Sequence, residues 1–374
     1  MVERISGRGA KDKHVEAPDV PRSVPRSVPR SAAEARAKVK TKPKPASPST
    51  FSKKTIALVY DFDGTLSPKP MQEYSFLPKL GIKAADFWAE CTRVSKAENA
   101  DPLITYMHLM YKKAKEKGLR IDRKDLVAQG RDVELYQGVE TWFGEIGKYV
   151  AKHSGSDGVV IKHYLVSSGL TEIIEGTKIY KNFANVFASE YWFDAYELPF
   201  PKRVITDTGK TQYLFRINKG LEDYNQSINS HMSEDARPIP FSNMIYFGDG
   251  ETDVPSMALL KKNGGHAIAV YDPPPSPTDA KHRSAMMRGG VRGGVMNQER
   301  SSSLDTTNAG TFSGGISGAH GGKAKCLELF RAGRCDFYAA ADYRKGSDLF
   351  KRTTLLLDRI LADIRVKEEM SGLG

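Results

Sequence analysis

Short apolar, β-prone runs recur along the chain, and between them apolar residues return at three- and four-residue spacing. Thr55 to Tyr60, His163 to Val166, Met244 to Phe247 and His266 to Tyr271 read as strands, with Asp336 to Ala341 as a fifth. The segments separating them can hold crossover helices, so the alternation predicts an α/β fold: a Rossmann-like parallel sheet with crossover helices. One region breaks the rhythm. After the first strand, Ala85 to Cys91, Leu103 to Ala114, Arg123 to Val127 and Val139 to Val150 are all helical in pattern, punctuated by Gly118 and Gly130. A helical cap inserted after the first strand is expected over 71–150. A last amphipathic helix is expected over 347–368, with Leu349, Leu355, Leu356, Ile360 and Ile364 on its core face.

Two stretches carry no such period. Residues 1–54 contain Val-Pro-Arg-Ser three times over (Val20 to Ser31) and then Lys-Pro-Lys-Pro at 42–45. Residues 273–325 run from a proline cluster through several Gly-Gly pairs. Neither has enough apolar surface to bury, so 1–54 is expected to be a disordered basic arm and 273–325 a flexible low-complexity insertion. The core is then 55–70, 151–272 and 326–374.

Charge follows this division. The net charge of +11 is concentrated in the arm, with 14 basic and 5 acidic side chains, and in 275–325, with 7 and 3; the rest stands near −2. A basic total therefore does not make the folded body a polyanion-binding surface. Cys91, Cys326 and Cys335 form no CxxC pair and fit no zinc spacing, as expected of reduced thiols in a cytoplasmic protein. No apolar run is long enough to span a bilayer, and the arm, although basic and Ser-rich, contains acids that transit peptides avoid. A cytoplasmic location and no membrane partner are expected; no oligomeric state is read from the pattern.

The chemistry is concentrated at strand ends. Asp61 and Asp63 follow the first strand two residues apart, so on an extended backbone both project to the same side, and Gly64 then lets the chain turn. A second strand ends in Gly248-Asp249-Gly250, with Asp253 shortly after. In open α/β sheets this carboxyl edge is where ligands sit. A calcium loop would need Gly at its sixth position and Glu at its twelfth. Counted from Asp61, those requirements are not met, since Gly64 is fourth and Gln72 twelfth. Gly209-Lys210-Thr211 imitates a phosphate loop but lacks the upstream glycine, position 204 being Val204.

The order Asp61-Phe-Asp63-Gly-Thr, a strand ending in Ser167, then Lys210, then Gly248-Asp249-Gly-Glu-Thr-Asp253 resembles the haloacid dehalogenase superfamily. The position of the cap resembles the phosphoserine-phosphatase subgroup. The resemblance implies Asp61 as nucleophile, Asp63 as general acid/base, and Ser167, Ser168 and Gly169 with Lys210 as the phosphate-binding group. It implies a Mg2+ cofactor held around Asp61, Asp63, Asp249 and Asp253. Lys219 remains a rival to Lys210, although the run Thr211 to Ile217 continues as the expected helix after Lys210. The implied activity is a Mg2+-dependent phosphatase acting on a small phosphorylated metabolite through an aspartyl phosphate. Phosphoserine itself is in question: the substrate-reading Glu nine residues after the nucleophile is replaced by Pro70, and Glu73 comes three positions late.

Two alternatives stay open at this stage. One is a phosphomutase of the same superfamily. The other is a polyanion- or RNA-binding protein using the arm and the Arg288-Gly-Gly and Arg292-Gly-Gly elements. Nucleic acid is not the expected partner, because those elements lack interleaved aromatics.

Overall fold

The computed structural model describes residues 53–155, 158–193, 200–273 and 322–372. The expectations for 1–54 and 273–325, the Arg-Gly-Gly elements included, lie outside the described residues except at their edges.

Seven strands form one sheet in the order β4-β3-β2-β1-β5-β6-β7. They are β1 (Thr55–Tyr60), β2 (Val160–Leu170), β3 (Asn185–Trp192), β4 (Phe200–Arg203), β5 (Met244–Gly248), β6 (His266–Tyr271) and β7 (Phe337–Ala340). All pairs are parallel except β3 with β4. The expected α/β class is the one observed. The pair β3 and β4 was not anticipated. Parallel central strands are buried on both faces and read as continuous apolar runs. By contrast, Asn185, Ser189, Glu190 and the short Phe200–Arg203 lie at or near the sheet edge and carry a mixed polar pattern.

The helices are α1 (Phe76–Leu80), α2 (Ala84–Glu98), α3 (Pro102–Glu116), α4 (Arg123–Gln129), α5 (Val139–His153), α6 (Thr171–Glu175), α7 (Lys210–Lys219), α8 (Val254–Lys262), α9 (Lys323–Arg331) and α10 (Asp348–Gly372). Local chemistry starts several of them. Asp101 caps α3, its carboxylate accepting the Leu103 and Ile104 amides at 2.8 and 3.2 Å, with Pro102 at the first helical position. Asp122 caps α4 through the Asp125 amide at 2.8 Å.

The two faces of the sheet are covered separately. On β1, Ile56, Leu58 and Tyr60 join one apolar cluster with α5 and α10, whereas Ala57 and Val59 join another with α7 and α8. Helices α1 to α4 form the excursion between β1 and β2, whose ends are pinned: the Tyr136 amide donates to the Leu66 carbonyl at 3.0 Å.

Three details depart from the pattern reading. The boundary placed at 150 falls inside α5, whose buried Val139, Trp142, Phe143, Ile146 and Val150 pack on the sheet, so this helix is the crossover from β1 to β2. Likewise, α9 begins at Lys323, ahead of the boundary at 326, because Cys326 and Leu329 face the core. On α10, Leu355 is 60% exposed, while Leu349, Leu356, Leu357, Ile360, Leu361 and Ile364 are buried. At about 100° per residue Leu355 projects away from the stripe set by Leu349, Leu356 and Ile360. Among the described residues, no helix is long and apolar enough to cross a membrane.

Beneath the end of β1, a buried polar chain ties three elements. The Trp142 indole donates to the Tyr60 hydroxyl at 2.9 Å, and that hydroxyl faces His163 Nδ1 at 3.0 Å. With its oxygen accepting from the indole, Tyr60 donates to the imidazole, which must be neutral at Nδ1. Burial lowers the His163 pKa from 6.5 to about 4. The unfolded chain therefore binds a proton that the folded one refuses, and stability falls with pH between about 6.5 and 4. At about 1.4 kcal/mol per pKa unit the loss is on the order of 3 kcal/mol. Urea denaturation of wild type and His163→Gln across this window should show a flatter slope in the variant. Equal slopes would remove His163 as the cause.

Candidate active site

At the carboxyl edge of the sheet four separate segments meet. Asp61 follows β1 on the same side as Val59, the side covered by α7. The first residue of α7 is Lys210, 1% exposed, and its Nζ lies 3.0 Å from Asp61 Oδ1 and 2.7 Å from Asp253 Oδ1. Lys219 is at the other end of the helix, donating to the Ile228 and Ser230 carbonyls at 2.7 and 3.0 Å. Ten residues of helix separate the two lysines by roughly 14 Å. Only Lys210 reaches the acids.

Asp249 follows β5, the neighbour of β1, and its carboxylate lies over Gly64. A Cβ on Gly64 would stand 2.2 Å from Asp249 Oδ2, and Gly64 has φ +78°. Both the backbone conformation and the close approach require glycine here. Gly64→Ala should lower thermal stability and cut any turnover at least tenfold by displacing Asp249; steady-state kinetics beside a melting curve would check this. Unchanged kinetics in a folded variant would mean that Asp249 is not held by this contact.

Asp61, Asp249 and Asp253 each place one carboxylate oxygen within 4.8 Å of the others. Asp253 is nevertheless heavily engaged within the protein. Its Oδ2 accepts the Asp249 and Gly250 amides at 3.1 and 3.3 Å, and its Oδ1 accepts the Tyr246 hydroxyl and Lys210, both at 2.7 Å. Two hydrogen bonds on each oxygen leave little for direct cation coordination. Its geometry is that of an anchor for the Asp249 turn and for Lys210, not of an open ligand. Nor does it cap α8, which has no side-chain cap.

Asp63 turns toward the excursion and accepts the Met71 amide at 3.0 Å. Burial raises its pKa well above the usual carboxylate range, Asp61 raises it further, and the Met71 amide opposes both. Burial likewise raises Asp61, to about 7, against the pull of Lys210. For Lys210, burial works against the charge, but Asp253 and Asp61 outweigh it and keep the ammonium protonated. Among the described residues, Lys210 is the cation that bridges two of these acids. Clustered carboxylates of this kind suit a divalent cation.

The irregular carboxyl end of β2, where the register shifts between Ser167 and Leu170, completes the site. Ser167 Oγ accepts the Gly169 amide at 3.0 Å, and Ser168 Oγ is buried with no hydrogen-bond partner among the described residues. Neither serine caps α6, where Leu170 holds the capping position. Gly169 lies against Met71, whose sulfur accepts the Leu170 amide at 3.2 Å. From α3, the Tyr106 hydroxyl donates to the Ser168 carbonyl at 3.1 Å, and the Tyr191 hydroxyl on β3 donates back to the Met107 carbonyl at 2.8 Å. Glu73 accepts the Trp88 indole at 2.6 Å.

All the residues singled out from the motifs therefore converge, except Lys219. Sequence reasoning missed Met71 and Tyr246. Tyr246 had a legible signal: it alternates with Ile245 and Phe247 on β5 and stands seven residues before Asp253, on the face that α7 covers. Met71 had none, because its contact with Asp63 is made by a backbone amide.

No protein-family profile matches the chain. A protein of Borreliella burgdorferi, described as uncharacterized, is 28% identical over 242 residues, covering 58% of this chain and 83% of its own length. Among solved structures, a HAD family hydrolase from Salmonella enterica serovar Typhi aligns at 16% identity over 57% of this chain and 61% of that one, with a TM-score of 0.39. A substrate-bound phosphoserine phosphatase aligns at 15% identity over 58% and 86%, with a TM-score of 0.40. A probable phosphoserine phosphatase from Vibrio cholerae aligns at 14% identity over 61% and 59%, with a TM-score of 0.37. The chain thus spans about three-fifths of the Salmonella hydrolase's length.

Proposed function

We propose that this chain is a phosphatase of the haloacid dehalogenase type, hydrolysing a small phosphorylated metabolite in two steps through an aspartyl phosphate on Asp61. The observation that carries this reading is the buried Lys210 bridging Asp61 and Asp253. It joins a carboxylate after β1 to one after β5, beside the serine-bearing end of β2, at a single strand edge.

Phosphate monoesters are among the slowest of biological substrates, with accelerations up to about 10²¹-fold required. A carboxylate nucleophile divides that task. Asp61 forms the new P–O bond as the ester P–O bond breaks, and the raised pKa of Asp63 lets it arrive protonated and give its proton to the leaving oxygen. In the second step Asp63 takes a proton from water, whose oxygen displaces Asp61 from phosphorus and releases phosphate. Lys210 offsets charge on the phosphoryl oxygens, while the Ser167 hydroxyl, whose oxygen accepts the Gly169 amide, keeps its proton to donate. Asp61, Asp249 and the Asp63 carbonyl would hold Mg2+, which when bound supplies the positive charge that the acid cluster and a phosphate dianion together demand.

Turnover of an aryl phosphate with Mg2+ and with chelator tests the reading, together with acid-quench trapping of phosphoprotein. Expected are loss of turnover in chelator, recovery on adding Mg2+, and a phosphorylated species absent from Asp61→Asn. Equal rates in chelator, or turnover without any trapped phosphoprotein, would sink it.

A further inference from the structure

We propose that the helical excursion carries a second ligand site, separate from the acid cluster, which takes a small organic anion with a benzene-sized apolar body. Between α1, the end of α3 and α4 lies a cavity of about 180 Å3. Its apolar wall is Phe76, Leu80, Ala114, Ile121 and Leu126, each more than nine-tenths buried. An apolar cavity of about 150 Å3 already accommodates benzene.

The two ends of this cavity differ in chemistry. Lys79 and Arg120 stand at the rim, both exposed and neither in an ion pair among the described residues, against the single acid Asp125. The rim therefore favours an anion. A cationic rim over an apolar wall matches an aromatic carboxylate. No motif residue takes part.

The site is not isolated from the strand edge. Gln129 leads into Gly130, where an added Cβ would stand 2.1 Å from the Ile173 carbonyl oxygen; on Gly176 it would stand 1.8 Å from that of Val127. Backbone thus meets backbone between α4 and α6, the helix that follows the Ser167–Gly169 end of β2. Filling the cavity should shift the KM for a phosphate ester through this contact.

Calorimetric titration of the full chain tests the proposal and is independent of whether the protein is a phosphatase. Benzoate should bind once per chain with Kd on the order of 1 mM or tighter, and benzylamine not measurably. Reversing both exposed rim charges, K79E with R120E, should weaken benzoate at least tenfold. The proposal is overturned if benzoate saturates no site, if benzylamine binds equally well, or if charge reversal leaves the affinity unchanged.

Discussion

Asp61→Asn will abolish phosphate-ester turnover, by at least about 10⁴-fold, and leave the fold intact. The amide keeps the side chain's volume but is no nucleophile, and losing an interaction made at the reacting atom appears in kcat, not only in KM. Stability without metal should hold or rise. Burial already pushes the Asp61 carboxyl up to about 7, so the folded state holds this anion at a cost. Lys210 keeps its second partner, Asp253, at 2.7 Å. Melting curves in chelator and phosphoprotein trapping check the two halves separately. A substantial residual rate in the purified variant would remove Asp61 from the nucleophile's position, and a large drop in melting temperature would mean that its carboxylate organises the strand edge.

Lys210→Met should be damaging in a different way. Here the cation leaves and two buried carboxylates remain facing each other. Removing one partner of a buried ion pair costs about 3–5 kcal/mol, because an uncompensated charge stays behind. Turnover should fall at least about 10³-fold for want of charge on the phosphoryl group. Adding Asp253→Asn to Lys210→Met separates the two effects. The amide can still accept the Asp249 and Gly250 amides and face Tyr246, so most of the stability should return while activity stays absent. If the double variant is no more stable than Lys210→Met alone, the loss reflects packing rather than charge.

Much of this site was legible because its chemistry sits where the apolar periodicity ends. Asp61 and Asp249 follow strands at the centre of the sheet, and Ser167 lies at the end of the apolar run of another, where continuous apolar runs are easy to recognise. What could not be read has a common cause: it depends on partners far away in sequence. Asp253 counted as one more acid until Tyr246, two backbone amides and Lys210 were seen to occupy it. The edge strand β4 and its neighbour β3 hide because their sequences mix polar and apolar residues. The α5 crossover looked like one more helix of the excursion, since amphipathic helices have the same period whichever surface they cover. Leu355 misled for the opposite reason: a leucine run places one side chain outside the stripe.

The hydrogen bond from the Tyr136 amide to the Leu66 carbonyl means that the excursion enters and leaves the core through almost the same point. In evolutionary terms this makes the segment a cassette. Closing a longer or shorter loop between two fixed points costs only about 0.6 kcal/mol per doubling of length. The register of β1 with β2 does not pass through it. On the proposed reading, new substrates can therefore be sampled by exchanging what lies between Leu66 and Tyr136, provided a backbone amide such as that of Met71 still holds Asp63.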